Sequence, residues 1–325
     1  MIRSQLPAIM KRSLHGLYRF SNSLPHQQYH LPNTNFRPRF RHHQLNNCFS
    51  SFNTINTDND NHLLEPSNEY NYPNNQYNRA KRIILIRHGE SLGNVDEATY
   101  VSQADWRIPL TDKGKEQAVN AGKTISNLLG EEGKAFFYVS PYKRTRQTLK
   151  GIMSQLDRPQ IHGVREEPRI AEQQFGNFQN VKLVQDAKNE RKSFGRFFYR
   201  FPNGEAGFDV YSRVTSFIST VMRDCTQLRA EKENFEEFNI CIVTHGLTLR
   251  LFLMRWFQYS VTEFESSFNP NNGAVIILER KTNPTSGLQW YELTKESRES
   301  LRLPKYEDQQ RFHIKNDLGL LDNDI

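Results

Sequence analysis

The chain changes abruptly from apolar to polar side chains within the stretch Ile83-Ile84-Leu85-Ile86-Arg87-His88-Gly89-Glu90. A short run of branched apolar residues is typical of a strand that is buried on both faces of a parallel sheet. In open α/β sheets, ligands bind at the carboxyl edge of the strands. Arg87 and His88 follow the run directly, so the stretch predicts an anion site at the end of a central strand. The residues Arg87-His88-Gly89 are equally compatible with a hydrogen-bonded core histidine beside a surface arginine.

Further apolar runs alternate with segments of helical periodicity along the rest of the chain. Four more strands are predicted, at 135–139, 161–164, 240–243 and 274–278. Helices are predicted from a cap at Thr111 to Gly130, and over 145–156, 210–222 and 247–257. Strands that alternate with helices form parallel sheets with right-handed crossovers and helices on both faces. The predicted fold is therefore α/β, with three α/β/α layers around a mostly parallel central sheet.

Polar residues also follow two of the other predicted strands. Ser140 and Arg144 come after the second strand, and Thr244-His245-Gly246 comes after the fourth. Because the carboxyl ends of parallel strands meet at one edge, these side chains are expected to lie beside the histidine of the first strand. Arginine offers a fork of donors that matches phosphate oxygens. Two arginines and two histidines in this arrangement predict a pocket for a tetrahedral dianion.

Other kinds of site lack the residues that they require. Neither histidine has carboxylates or cysteines at metal-ligand spacing, so no metal and no cofactor is predicted. The sequence contains no G-x-x-x-x-G-K-[ST] motif, which excludes a P-loop nucleotide site. The three cysteines have no paired spacing, so neither a disulfide framework nor a zinc site is predicted.

Four separated motifs occur in an order that resembles the histidine phosphatase superfamily, the phosphoglycerate mutase-like group. They are Arg87-His88-Gly89-Glu90-Ser91 with Asn94, then Leu110-Thr111 with Gly114 and Gln117-Ala118, then Ser140-Pro141-x-x-Arg144-x-x-Gln147-Thr148, and finally Thr244-His245-Gly246. The resemblance covers about residues 81–280. Within the superfamily the chain is most similar to plant phosphoglycerate mutase-like proteins and fungal broad-range acid phosphatases, through segments 169–178 and 194–202. The resemblance implies a phosphoglycerate mutase-like fold.

The resemblance also implies roles for individual residues. His88 would be the nucleophile that forms a transient phosphohistidine, which divides one difficult displacement into two easier ones. Arg87, Arg144 and His245 would hold the phosphoryl oxygens as charge develops in the transition state. Asn94 and Gly246 would help to bind the substrate.

A leaving alkoxide needs a proton, and the same group can then activate the water that hydrolyses phosphohistidine. Glu172 is the preferred candidate, because its surroundings resemble the segment that carries the family's acid. Glu205 is the runner-up, since some phosphatase branches carry an acidic residue near such a Gly-Glu pair. Either residue could instead be a solvated loop carboxylate.

The sequence favours net hydrolysis over isomerisation. The Trp-Asn-x-x-Asn stretch expected in cofactor-dependent mutases is replaced by Gly93-Asn94-Val95-Asp96-Glu97-Ala98. The predicted function is a metal-independent phosphomonoesterase that acts on a small phosphorylated metabolite. The alternatives are phosphoglycerate mutase-type phosphoryl transfer and a non-catalytic module that binds phosphorylated ligands.

Positive charge is concentrated at the amino end. Residues 1–57 contain seven Lys or Arg and no Asp or Glu, which leaves 36 basic and 36 acidic residues in the remainder. The neutral remainder removes the case for nucleic-acid binding, and no apolar stretch approaches the roughly 20 residues that cross a bilayer. An acid-free, Arg-rich segment is typical of transit peptides. Residues 1–78 are therefore predicted to be a disordered, cleavable leader for a mitochondrion or plastid, with a cytoplasmic protein as the alternative.

Three regions follow from these observations. Residues 1–78 form the leader, 79–295 the catalytic domain with an insertion at about 177–208, and 296–325 a polar tail. Basic residues of the insertion could contact extra phosphates or an acidic substrate tail, namely Arg191, Lys192, Arg196 and Arg200. An amphipathic helix with a charged outer face is the more common meaning of such a pattern. The sequence does not predict an oligomeric state.

Overall fold

The computed structural model describes residues 79–177, 180–230 and 237–303, with the backbone alone for 225–230. The predicted leader, and with it the predicted targeting, lies outside the described residues. The same holds for residues 304–325 of the predicted tail.

Within the described residues, six strands form one sheet in the order β3-β2-β4-β1-β5-β6. The strands are β1 Arg82–Arg87, β2 Lys134–Val139, β3 Ile161–Glu166, β4 Phe238–Thr244, β5 Val275–Thr282 and β6 Gln289–Leu293. The first four strands in the order pair in parallel. The last two form an antiparallel hairpin at the edge next to β1. The sheet is therefore mostly parallel, as predicted.

Helices connect and cover the strands. Those of the described residues are α1 Leu92–Val95, α2 Thr99–Ser102, α3 Asp112–Leu129, α4 Lys143–Met153, α5 Val181–Phe194, α6 Gly207–Ala230, α7 Gly246–Phe257, α8 Val261–Ser266 and α9 Lys295–Ser300. None of these helices has the length and apolar character needed to cross a membrane. Helix α3 begins after Thr111, whose side chain accepts a hydrogen bond from the Gly114 amide at 3.0 Å, and ends at Gly130. The predicted cap and stop are both confirmed.

The central strand β1 buries both of its faces. Ile83 and Leu85 belong to the apolar cluster that includes α6 and α7, whereas Ile84 and Ile86 belong to the cluster that includes α3 and α4. All four side chains are at most 2% exposed. Full burial of one such side chain contributes about 1.5–3 kcal/mol. Because successive side chains of β1 point to opposite buried faces, the strand requires an uninterrupted apolar run. Burial of both faces by helices confirms the three-layer fold.

The packed chain continues beyond the domain boundary predicted at residue 295. Helix α9 begins at Lys295, and Leu301 and Leu303 after it are buried in the cluster of α6 and α7. The polar sequence of α9 conceals this packing, because only the Ser297 side chain within the helix is buried. Strand β6 was not predicted from the sequence, since it lacks an uninterrupted apolar run.

Candidate active site

The polar ends of three strands meet at one edge of the sheet. Arg87 at the end of β1 lies opposite Thr244 at the end of β4, and Val139 at the end of β2 lies opposite Val243. The next residues are therefore brought together. The ring centres of His88 and His245 are 5.2 Å apart, so the predicted convergence of the two histidines is present.

His88 is held in one protonation form. It is 4% exposed, and its Nδ1 lies 2.6 Å from the carbonyl oxygen of Gly89. A carbonyl can only accept, so Nδ1 carries the proton and donates it. Burial, and then the charges of Arg144 and Arg87, hold the pKa of His88 well below the ordinary value of 6.5. The ring is thus neutral, with an unprotonated Nε2 whose lone pair can attack an electrophile.

His245 is fully buried at the start of α7. Its Nε2 lies 2.8 Å from Ser140 Oγ. The ring of Tyr142 packs against it, with the two ring centres 4.9 Å apart. Burial, followed by the charge of Arg144, lowers the pKa of His245 well below 6.5. Its Nδ1 has no hydrogen-bond partner among the described residues. This nitrogen therefore retains its hydrogen-bonding capacity toward a ligand.

Arg144 lies in the first turn of α4, which begins two residues earlier than predicted. It is 2% exposed, and its Nη1 donates to the side chain of Asp105 at 2.7 Å and to the Asp105 carbonyl at 2.9 Å. The guanidinium also lies 4.7 Å from the ring centre of Tyr142. Burial lowers the pKa of Arg144, but Asp105 and Tyr100 raise it above its ordinary value overall. The arginine therefore stays charged although it is buried.

Arg87 approaches the site from the other side. Its Nη1 donates to the carbonyl of Pro270 at 2.5 Å, while its Nε is buried without a partner among the described residues. Burial lowers the pKa of Arg87, and the nearby Glu172 carboxylate opposes that effect. Gly246 leaves the space that this packing needs, because a Cβ there would lie 3.3 Å from Arg87 Nε and 2.9 Å from the Asn269 side chain.

Glu172 lies in the loop before α5, within electrostatic range of both arginines of the site. Its Oε1 accepts hydrogen bonds from the Gln173 amide and from Thr248 Oγ1, both at 3.1 Å. No lysine or arginine forms an ion pair with Glu172 among the described residues. Its second oxygen is therefore available for proton transfer.

Glu205 has a different environment. Its two carboxylate oxygens accept from Nε and Nη2 of Arg213, each at 3.1 Å. Arg213 in turn donates to the carbonyls of Arg169, Ala171 and Glu172, at 2.7, 2.8 and 3.1 Å. Glu205 thus supports the loop that carries Glu172, and its charge is neutralised by Arg213. The geometry favours Glu172 over the runner-up.

Asn94 is connected to the site through a second asparagine. Its Oδ1 accepts from Ser91 in the capping box of α1 and from Asn272 Nδ2 at 3.2 Å. Asn272 Nδ2 also lies 3.2 Å from the carbonyl oxygen of His88. Asn94 therefore lies at the rim, where it fixes the loop after β1.

The insertion contains the predicted amphipathic helix, now α5, followed by an aromatic segment. Phe197, Tyr199 and Phe201 are buried, whereas Phe198 is 67% exposed. Most of the basic side chains have other partners: Lys192 bonds Asn189, Arg196 pairs with Glu265, and Arg200 pairs with Asp209. Arg191 is the exception, since its guanidinium lies over the ring of Phe201, 5.2 Å from the ring centre.

Some residues of the site were not predicted. Asp105 pairs with Arg144 from a position 39 residues earlier in the chain, and no motif links the two. Tyr142 was visible only as a variable position of the Ser-Pro-x-x-Arg motif. Among the described residues there is also no group of three or more His, Cys, Asp or Glu side chains placed to hold a metal ion.

Comparison with known proteins agrees with this geometry. Phosphoglycerate mutase-like protein AT74H of Arabidopsis thaliana is 47% identical over 207 residues, which cover 61% of this chain and 74% of that protein. Broad-range acid phosphatase DET1 of Saccharomyces cerevisiae is 31% identical over 289 residues, covering 62% and 86%. The solved structure of Bacillus stearothermophilus YhfR is similar with a TM-score of 0.50 at 20% identity, over 67% of this chain and 97% of that one.

The similarity to a family model extends over most of the described sheet. The family model of the histidine phosphatase superfamily (branch 1) matches residues 83–292, from β1 into β6. This range contains all of the strand ends that carry the site. The chain belongs to the histidine phosphatase superfamily, branch 1.

Proposed function

We propose that the protein is a metal-independent phosphomonoesterase that acts through a phosphohistidine at His88 on a small phosphorylated metabolite. The observation that carries the proposal is the state of the His88 ring. Its Nδ1 is bound to the Gly89 carbonyl and its pKa is lowered by burial, so Nε2 is a neutral nucleophile. The nearby positive charges of Arg87 and Arg144 attract the phosphate that such a nucleophile would attack.

The reaction would proceed in two balanced steps. In the first, His88 Nε2 forms a bond to phosphorus as the bond to the leaving oxygen breaks, and Glu172 gives that oxygen a proton. In the second, Glu172 takes a proton from water, whose oxygen attacks the phosphohistidine and releases inorganic phosphate. The carboxyl group returns to its protonated form, and His88 to its neutral form.

The remaining residues would stabilise the transferring phosphoryl group. Arg87 Nε and His245 Nδ1 are buried and unpartnered among the described residues, so both can bind phosphoryl oxygens. Arg144 is held by Asp105 and Tyr142 before any ligand arrives. A preorganised donor of this kind is worth about 3–4 kcal/mol in the transition state. Loss of any of the three should therefore be severe.

Two observations support hydrolysis rather than isomerisation. The mutase motif after β1 is missing, and a relative at 31% identity is named a broad-range acid phosphatase. The mutase reaction remains the second candidate because the relative at 47% identity is named mutase-like. A mutase must retain its phosphorylated intermediate, whereas a phosphatase admits water.

The decisive experiment measures phosphate release from a panel of phosphomonoesters by the full chain, with EDTA present. We expect release from several substrates and no effect of EDTA. Phosphoglycerate isomerisation faster than release would favour the mutase, and ligand binding without any turnover would refute both enzymes. Acid quenching with labelled substrate tests the intermediate: label should be trapped on His88 and be absent from a His88→Ala variant. Label on another residue would refute the mechanism.

A further inference from the structure

A buried hydroxyl group contacts one histidine of the site and has no role in the proposed reaction. It belongs to Ser140, which follows β2 directly and is 0% exposed. The Ser140 amide donates to the Val243 carbonyl at 3.0 Å, and the Ser140 carbonyl accepts from Thr145 Oγ1 at 2.9 Å. The backbone of Ser140 is therefore fixed on both sides, with Oγ 2.8 Å from Nε2 of His245.

The direction of this hydrogen bond follows from the acceptors within reach. A serine hydroxyl has one proton to donate and two lone pairs that can accept. Among the described residues, His245 Nε2 is the one hydrogen-bond partner of Ser140 Oγ. A proton on Nε2 would point at the oxygen and leave the serine proton buried without an acceptor. Because an unmade bond at a buried donor is costly, the hydroxyl donates and Nε2 accepts.

The bond thereby determines the tautomer of His245. A neutral imidazole carries one N–H, so with Nε2 as the acceptor the proton lies on Nδ1. Burial holds the pKa of the ring well below 6.5, which keeps it neutral at pH 7. Nδ1 is buried without a partner among the described residues, and the ring centre lies 5.2 Å from that of His88. The Nδ1–H group is therefore a free donor next to the proposed nucleophile.

The tautomer matters because phosphoryl oxygens can accept hydrogen bonds but cannot donate them. An N–H at Nδ1 stabilises the negative charge on such an oxygen, whereas a lone pair at Nδ1 repels it. The tautomer of a histidine is set by the hydrogen bond that its other ring nitrogen makes. A histidine held in the wrong tautomer can reduce catalysis by several orders of magnitude.

We propose that Ser140 is a positioning residue that holds His245 in the Nδ1–H tautomer, in which the ring donates a hydrogen bond to the transferring phosphoryl group. The tautomer follows from the bond between two buried side chains, and only its use in the reaction rests on the proposed function. Ser140 acts through the histidine and takes no part in proton transfer. The serine of the Ser-Pro-x-x-Arg motif thus has a role separate from that of its arginine.

The tautomer can be read by NMR of the full chain that carries ¹⁵N-labelled histidine. The chemical shift of each ring nitrogen depends on whether that nitrogen is protonated. The signals of His245 among the ten histidines are those that disappear in a His245→Gln variant. We expect a protonated Nδ1 and an unprotonated Nε2 at pH 7 without phosphate. A protonated Nε2 under these conditions, alone or together with Nδ1, would overturn the inference.

Ser140→Ala removes the hydroxyl without adding volume. The fraction of His245 with a proton on Nδ1 should fall, and saturating inorganic phosphate should restore it. The value of kcat/KM should fall about tenfold, the effect of one buried hydrogen bond. Ser140→Thr retains a hydroxyl and should retain the tautomer.

Thr145→Val is the matched control, because it removes a neighbouring buried hydroxyl that bonds the carbonyls of Ser140 and Tyr142 rather than the ring. It should leave the tautomer unchanged. An unchanged tautomer or an unchanged kcat/KM in Ser140→Ala would refute the positioning role. The wild-type spectrum decides the tautomer even if Ser140→Ala fails to fold. If the tautomer changes in Ser140→Ala as expected but the wild type hydrolyses no phosphomonoester, the positioning of His245 is supported and the proposed function is refuted.

Discussion

The two candidate carboxylates should respond in opposite ways to the same substitution. In Glu172→Gln, the amide oxygen can still accept from the Gln173 amide and Thr248 Oγ1, so the free energy of unfolding should change by less than about 1 kcal/mol. Proton transfer is lost, which should lower kcat by about 10²- to 10⁴-fold. The loss should be large for alkyl phosphates and small for 4-nitrophenyl phosphate, whose leaving group needs no proton.

In Glu205→Gln, the main effect should be a lower free energy of unfolding. Both Arg213 and Glu205 side chains are only 20% exposed, and an amide can satisfy one of the two donors of Arg213 but not both. One charge-assisted hydrogen bond left unmade at a mostly buried group costs about 2 kcal/mol. Activity should fall only moderately, through displacement of the Glu172 loop, and equally for both kinds of substrate.

Urea unfolding and steady-state kinetics on the two substrates would separate these effects. The reasoning is refuted if Glu205→Gln shows the dependence on the leaving group, or if Glu172→Gln is the less stable variant. Equal rates of the wild type and Glu172→Gln on alkyl phosphates would also exclude Glu172 as the acid.

Three further perturbations follow from the structure. Asp105→Ala leaves the buried Arg144 with the backbone carbonyl contact alone, so urea unfolding should show a loss of about 1–3 kcal/mol together with lower kcat/KM. Unchanged kinetics would contradict the role of this pair. Because burial lowers the pKa of His88 and of His245, the unfolded chain binds more protons than the folded one below pH 6.5. The free energy of unfolding should therefore fall as the pH drops below that value, by up to about 1.4 kcal/mol per pH unit for each histidine. His88→Gln should make this dependence on pH less steep. A free energy of unfolding that does not change with pH in the wild type would argue against neutral histidines. At Gly114 a Cβ would lie 2.0 Å from a backbone oxygen of the loop after β1, so Gly114→Ala should cost about 1–3 kcal/mol or more, and an unchanged Tm would contradict this packing.

The sequence was sufficient to predict five of the six strands of the sheet and their polar ends, because both depend on local patterns. The apolar run 83–86 is buried on both faces, and the motif residues lie at the end of their strands or shortly after it. Parallel pairing then brings His88, Arg144 and His245 together without further information. The site residues that could be predicted are those whose positions follow from the order and direction of the strands.

The supporting contacts could not be predicted in the same way. Asp105 reaches Arg144 from a short 3-10 turn whose placement depends on packing around α4. Arg213 holds the Glu172 loop from α6, more than 40 residues away along the chain. Neither contact has a sequence periodicity or a fixed spacing. Polar residues at such distances become partners only after the three layers have packed.

The antiparallel edge of the sheet has a part in the site that its sequence does not suggest. The chain reaches β5 through a loop that passes over the end of β1. There the carbonyl of Pro270 accepts from Arg87, and the amide of Gly273 donates to the carbonyl of His88 at 3.1 Å. Asn272 contacts the same carbonyl at 3.2 Å. The parallel strands thus supply the reactive groups, whereas the loop before the antiparallel strand fixes the backbone that carries them. Substitutions in this loop should therefore impair catalysis even though none of its side chains has been assigned a chemical step.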